Sequence, residues 1–152
     1  MAFRVRVLAF DEGAEIPPRY TGEGENLSPA IEWEDLPSGT RSLAVLMDDP
    51  DAPAGVWTHW MLWDIPTGEH GIPEGFVPGR VGTSGANDFG AEGYGGPMPP
   101  QGHGPHRYYF KVYALDMSRL NLHAGTKRWE FEKALRGHVI DECCAMGRYE
   151  RR

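Results

Sequence analysis

The sequence predicts an all-β-dominated chain: an antiparallel β-sandwich of Greek-key type with one C-terminal helix and a long Gly/Pro-rich loop. Three observations carry this expectation. The apolar runs are short and either continuous or alternating, which are the patterns of fully buried and half-buried strands. The chain of 152 residues holds 20 glycines and 13 prolines, spaced between those runs where strands must turn. One stretch alone, near the C-terminus, suits a helix. A chain of this length buries most of its apolar surface in one domain, residues 1–152.

Taken in order, Phe3, Val5, Val7 and Ala9 share a face with Arg4 and Arg6 opposite, giving a half-solvated first strand. Residues 11–18 form a loop, 20–28 are rich in Gly and Glu, and 29–33 resume as a short strand. Residues 36–40 are a turn by composition. The run Ser42-Leu43-Ala44-Val45-Leu46-Met47 is a continuous buried strand. Residues 58–65 alternate, with His59, Met61, Trp63 and Ile65 on one face. The stretch from Gly71 to Gly104 is dense in Gly and Pro, and a loop this long is either functional or disordered. Its interleaved Phe76, Phe89 and Tyr94 favour an ordered loop packed on the domain. At 106–115 the strand pattern returns, with His106, Tyr108, Phe110, Val112 and Ala114 on one face and Arg107, Tyr109, Lys111 and Tyr113 on the other. Trp129, Lys133, Leu135 and Val139 fall in a helix-compatible stretch, 127–142, interrupted by Gly137. Residues 144–149 suit a last short strand.

The net charge is −7, the pI is near 5.3, and the basic residues are scattered. Phosphate backbones and anionic membranes need clustered cations, so neither nucleic acid nor a membrane surface is expected as partner. A small anion in a pocket responds to local charge only. The two cysteines, Cys143 and Cys144, are adjacent, which excludes a disulfide scaffold and fits a reducing compartment. The N-terminus has no signal-like apolar segment, and no stretch is long and apolar enough to span a bilayer. A cytoplasmic protein is expected.

The densest chemistry lies in Asp48-Asp49-Pro50-Asp51-Ala52-Pro53-Ala54-Gly55-Val56-Trp57-Thr58-His59-Trp60. An ordinary hairpin needs roughly two to five connecting residues, so this rigid charged connection reads as a wall of a binding site. In an antiparallel hairpin Asp49 and His59 lie at one end of the sheet. His106 begins its own strand on the inward face, and Tyr108 lies one step deeper. A lone inward histidine is commonly a hydrogen-bonded core residue. Two histidines, an aspartate and a tyrosine at one edge favour a ligand site. Asp51 suits an Asx turn, Arg107 an ion pair with a loop carboxylate such as Asp51, and Trp57 either core or an aromatic wall. Imidazoles, a phenol and the amides near Gly95 and Gly96 are donors for a phosphate or carboxylate. Asp49 then either fixes a histidine tautomer or stays protonated beside the guest. Asp49, His59, His103 and His106 are also metal-ligand types, but their spacing matches no standard site, so no metal and no cofactor are expected.

With those residues laid out, the chain resembles the phosphatidylethanolamine-binding protein family, in its small prokaryotic Raf-kinase-inhibitor-like branch. The matching blocks are Asp49-Pro50-Asp51-Ala52-Pro53, Trp57-Thr58-His59-Trp60, Asn87-Asp88-Phe89-Gly90, Tyr94-Gly95-Gly96-Pro97 with Pro99-Pro100, and Gly104-Pro105-His106-Arg107-Tyr108. Gly137-His138-Val139 and Gly147-Arg148-Tyr149 look like its C-terminal signature. The resemblance implies a β-sandwich with an anion pocket at one end, formed by Asp49, Pro53, Trp57, His59, Gly96, Pro99, His106 and Tyr108. It also implies a pocket more open than in eukaryotic relatives, whose extra C-terminal helix this chain is too short to supply. Prokaryotic relatives commonly carry Cys where Met98 stands, so a thiol role there is not expected. Homodimers are common among such relatives. The expected function is a binding protein for a phosphate-bearing or other anionic group. Second comes an inhibitor or scaffold of a protease or kinase, a protein partner then entering the same pocket, and third a His/Asp-dependent phosphoester hydrolase. No serine sits in a Gly-X-Ser-X-Gly elbow.

Overall fold

The computed structural model describes residues 2–152. Its strands form two antiparallel sheets. The smaller takes the order β1 (Arg4–Val7), β2 (Ile31–Glu34), β5 (Gly71–Ile72); the larger takes β6 (Thr83–Ser84), β4 (Trp57–Ile65), β3 (Ser42–Asp49), β7 (His106–Leu115), β8 (Val139–Tyr149). In the larger sheet β7 returns beside β3, outside the β3–β4–β6 succession, which is the spatial order of a Greek key. One helix, α1 (Arg128–Leu135), lies late in the chain. The mostly-β, two-sheet architecture agrees with the expectation from sequence.

Two apolar layers flank the larger sheet. On β3 the odd positions Leu43, Val45 and Met47 enter the core between the sheets, with Trp60, Leu62, Tyr108, Phe110 and Val112. The even positions Ala44 and Leu46 turn to the opposite face with Met61 and Trp63, under Phe131 and Leu135 of α1. Every residue of β3 is buried, which is why its sequence shows no alternation. The helix presents Phe131 and Leu135, four residues apart, as its inward stripe. Asp48, also on the α1 side, is buried against Arg128 at 2.9 Å and Lys111 at 3.4 Å.

Three expectations need correction. The period-2 face His59, Met61, Trp63, Ile65 does not exist, because β4 carries two irregularities. Met47 faces Trp60 but Asp48 faces Thr58, leaving His59 as an extra residue; Leu43 faces Ile65 but Val45 faces Leu62. A bulge shifts the phase of everything beyond it. Met61 and Trp63 therefore pack under the helix while His59 and Ile65 lie on the inter-sheet side. Next, the helix stops at Leu135, and Gly137 at φ +80° makes the turn. The residues beyond belong to β8, which is eleven residues long instead of the short strand at 144–149. Its outer edge is covered near Met146 and Arg148 by residues 13–16, whose backbone pairs with it. Finally, the 71–104 stretch is ordered, as expected, but it is not all loop: it contributes β5 and β6, and of its aromatic residues Phe76 is buried while Phe89 is exposed.

Candidate functional site

β3 places Asp49 in phase with Met47, so its carboxyl continues the inward row past the last core residue. β7 brings His106 and Tyr108 alongside, and the bulge turns His59 onto the same side. All four are buried. Together with Ala52, Pro53, Trp57, Phe89, Met98, Pro99 and Pro100 they line a cavity of about 350 Å³ at the open end of the sandwich. Seven of the eight residues expected from sequence thus line one cavity. Gly96 is the exception.

Hydrogen bonds define the polar side. Asp49 Oδ2 lies 2.6 Å from His106 Nδ1, and Asp49 Oδ1 accepts the Asp51 N–H at 2.7 Å. The Asx turn in this loop is thus made by Asp49. A carboxylate only accepts, so it selects the His106 tautomer that carries the proton on Nδ1. His106 Nε2 in turn lies 2.6 Å from His103 Nδ1. His59 Nδ1 donates to the Gly95 carbonyl at 2.6 Å. Burial lowers the His59 pKa below the ordinary histidine value, while the Gly95 carbonyl and the carboxylates of Asp49, Asp48 and Asp88 oppose that shift.

The Tyr108 hydroxyl is buried and has no hydrogen-bond partner, although its ring packs edge-on to His59 at 5.2 Å and stacks by His106 at 6.5 Å. Burial first, then the nearby Asp49 carboxylate, raise its pKa well above that of free tyrosine, so the phenol keeps its proton. Trp57 and Phe89 meet edge to face at 5.4 Å and form the aromatic wall.

Arg107 turns outward and grips Asp51 through Nε at 2.9 Å and Nη2 at 2.8 Å, with its own backbone N–H at 2.9 Å. That fork fixes the loop against β7. The Arg107 hydrogen bonds lower the Asp51 carboxyl to about 2.

The glycine amides do not serve as anion donors. The Gly95 N–H donates to the His59 carbonyl at 2.9 Å and the Gly96 N–H to Asn26 Oδ1 at 2.8 Å. Gly96 is required for another reason: a Cβ there would lie 2.4 Å from the Tyr20 carbonyl oxygen. The Tyr94 hydroxyl donates to that same carbonyl at 2.6 Å, pinning the loop that carries Gly95. Sequence reasoning missed Ala52, Phe89, Met98 and Pro100 as lining residues and the contact of His103 with His106. Histidines three apart gave a composition signal for His103, but the turn that joins the rings is not readable from residue types. Among the described residues no group of three or more His, Cys, Asp or Glu is placed to hold a metal ion.

Comparison with known proteins bears on the family and the fold. Residues 7–150 match the family model described as phosphatidylethanolamine-binding protein. The chain is 47% identical over 146 residues to a UPF0098 protein of Aquifex aeolicus, covering 94% of this chain and 85% of that one. It is 38% identical over 125 residues to the UPF0098 protein YbhB of Escherichia coli, covering 75% and 78%. Among solved structures, Escherichia coli YbcL, described as a member of the mammalian PEBP family, superposes with a TM-score of 0.92 at 31% identity over all of both chains. The phosphatidylethanolamine-binding protein homolog CT736 of Chlamydia trachomatis gives 0.90 at 32% identity over 99% of each. The chain belongs to the phosphatidylethanolamine-binding protein family.

Proposed function

We propose that this protein is a small binding protein whose end-of-sandwich pocket accepts a phosphate-bearing or other anionic group without turning it over. The observation that carries the reading is the Tyr108 hydroxyl, buried and unpartnered in the cavity wall. An unsatisfied buried donor costs about 1–3 kcal/mol, and an oxyanion is the guest that best satisfies it. The aromatic and proline wall suits the less polar remainder of such a ligand. The lining holds no serine, threonine or cysteine, which favours recognition over covalent catalysis. Asp49 has its oxygens engaged by His106 and Asp51, so its charge is partly neutralised where a guest would sit.

A cytoplasmic setting belongs to the proposal and is supported by the two free cysteines. No helix among the described residues is long and apolar enough to cross a membrane. The test is a titration followed by backbone NMR, using inorganic phosphate and phosphoethanolamine as separate probes. Shifts should concentrate at Asp49, Trp57, His59, His106 and Tyr108. Unmoved resonances at those positions in millimolar anion would remove the reading.

A further inference from the structure

The polar side of the cavity presents an unexpected face to an anion. When His106 is neutral and gives its Nδ1–H to Asp49, it keeps a lone pair on Nε2, and the 2.6 Å contact is then closed by His103 Nδ1–H. His59 gives its Nδ1–H to Gly95 and likewise keeps a lone pair on Nε2. Neutral imidazole has one N–H, so both rings are acceptors toward the cavity. A bare oxyanion would meet two lone pairs and be repelled. It needs a proton, and placing that proton on His106 Nε2 sets two N–H groups against each other across 2.6 Å. The contact must then break.

His103 can leave. It is exposed and flanked by Gly102 and Gly104, and its ring is joined to His106 through a single nitrogen–nitrogen contact. Its backbone stays tied down through its own N–H to the Pro100 carbonyl at 3.1 Å and the Gly102 N–H to the Arg151 carbonyl at 2.8 Å. Rotation of the side chain alone releases His106.

We propose that His103 is a proton-linked latch on the pocket: a phosphate-class oxyanion binds by loading one proton onto His106 Nε2 and driving His103 off it. The inference rests on the anion-binding reading above. The proton comes from solvent. His106 becomes an imidazolium held between the Asp49 carboxylate at Nδ1 and the oxyanion at Nε2, and His103 departs as neutral imidazole with its Nδ1–H turned to water. No covalent bond changes.

The groups facing the pair are Asp49 on β3, Asp51 in the β3–β4 connection with Arg107 upon it, His59 on β4, Tyr108 on β7, and Tyr149 opposite His106 on β8. Asp51 stays ionised above about pH 2, and Tyr108 and Tyr149 have raised pKa values and stay protonated. Burial opposes a charge on His59. Of these groups His106 is the one whose second ring nitrogen is backed by a carboxylate at the first, so an added proton on Nε2 has its counter-charge at Asp49.

The test uses sulfate, which carries no titrating proton between pH 5.5 and 8, so any linkage belongs to the protein. Binding to wild type should weaken about tenfold per pH unit across neutral pH, the slope for one proton taken up. His103→Ala should bind roughly two- to tenfold tighter at pH 7.5, the equivalent of one removed hydrogen bond, and its pH profile should move to higher pH. Side-chain ¹⁵N spectra should show His106 Nε2 becoming protonated on sulfate addition. A flat pH profile, weaker binding by His103→Ala, or an unmoved profile in that variant would overturn the latch alone. Failure of both proteins to bind sulfate and phosphate at pH 5.5 would overturn the anion-binding reading, and the latch with it.

Discussion

Tyr108→Phe deletes one oxygen and leaves the ring in place, so its two effects can be worked out separately. In the free protein the hydroxyl is buried without a partner, a situation that costs about 1–3 kcal/mol. The adjoining cavity lets water relieve part of that cost, so the lower end applies. The variant should gain about 1 kcal/mol, which raises the melting temperature by about 2–4 °C for a domain of this size. The ring contacts with His59 at 5.2 Å and His106 at 6.5 Å persist, so no packing loss offsets the gain. Toward an oxyanion the same change removes a hydrogen bond to a charged group, worth about 1.5–3 kcal/mol, and affinity should fall about ten- to a hundredfold. Thermal unfolding with and without phosphate reads both effects. At a phosphate concentration a hundred times the wild-type Kd, the wild type gains about 2.7 kcal/mol and a tenfold weaker variant about 1.4 kcal/mol. A variant that is less stable without phosphate, or that binds phosphate as tightly as wild type, would refute the reasoning.

Three further outcomes are expected. Asp48→Asn leaves Arg128 and Lys111 without their buried partner and should cost about 2–4 kcal/mol in urea unfolding; a loss under about 0.5 kcal/mol would mean the α1 anchor lies elsewhere. Gly96→Ala drives a Cβ to 2.4 Å from the Tyr20 carbonyl and should lower stability by about 1–3 kcal/mol; a stable variant that merely lost phosphate binding would restore Gly96 as a ligand residue. For Asp51 the folded pKa, about 2, lies below its ordinary 3.8. Its stabilisation is therefore present above about pH 4 and lost as pH falls toward 2. Acid unfolding of Asp51→Asn should show a shallower loss across that window, and curves of equal slope would contradict the assignment.

Legibility from sequence followed the regularity of each strand. β7 was readable because buried positions alternate with exposed or half-buried ones from His106 to Ala114. β4 was not, since the extra residue at His59 and the irregularity near Asp64, at φ +57°, break the period on which the reading depends. The first half of β8 is exposed on both faces, so no alternation marks it and it passed as a continuation of the helix. In the site, residue types were informative and directions were not. Asp49, His59, His106 and Tyr108 declared themselves by chemistry and strand position. The amides of Gly95 and Gly96 had the right chemistry too, but backbone hydrogen bonds consume them.

The extra residue in β4 acts as a clutch between its two ends. Thr58 stays opposite Asp48 and Trp60 opposite Met47, so the pairing on either side of His59 runs as though the histidine were not there. The imidazole is threaded into the ladder without being one of its rungs. Substitution at this position can therefore reshape the mouth of the sandwich while leaving the tryptophan and methionine rows beneath undisturbed, and a one-residue deletion would remove the ring without forcing those rows out of step.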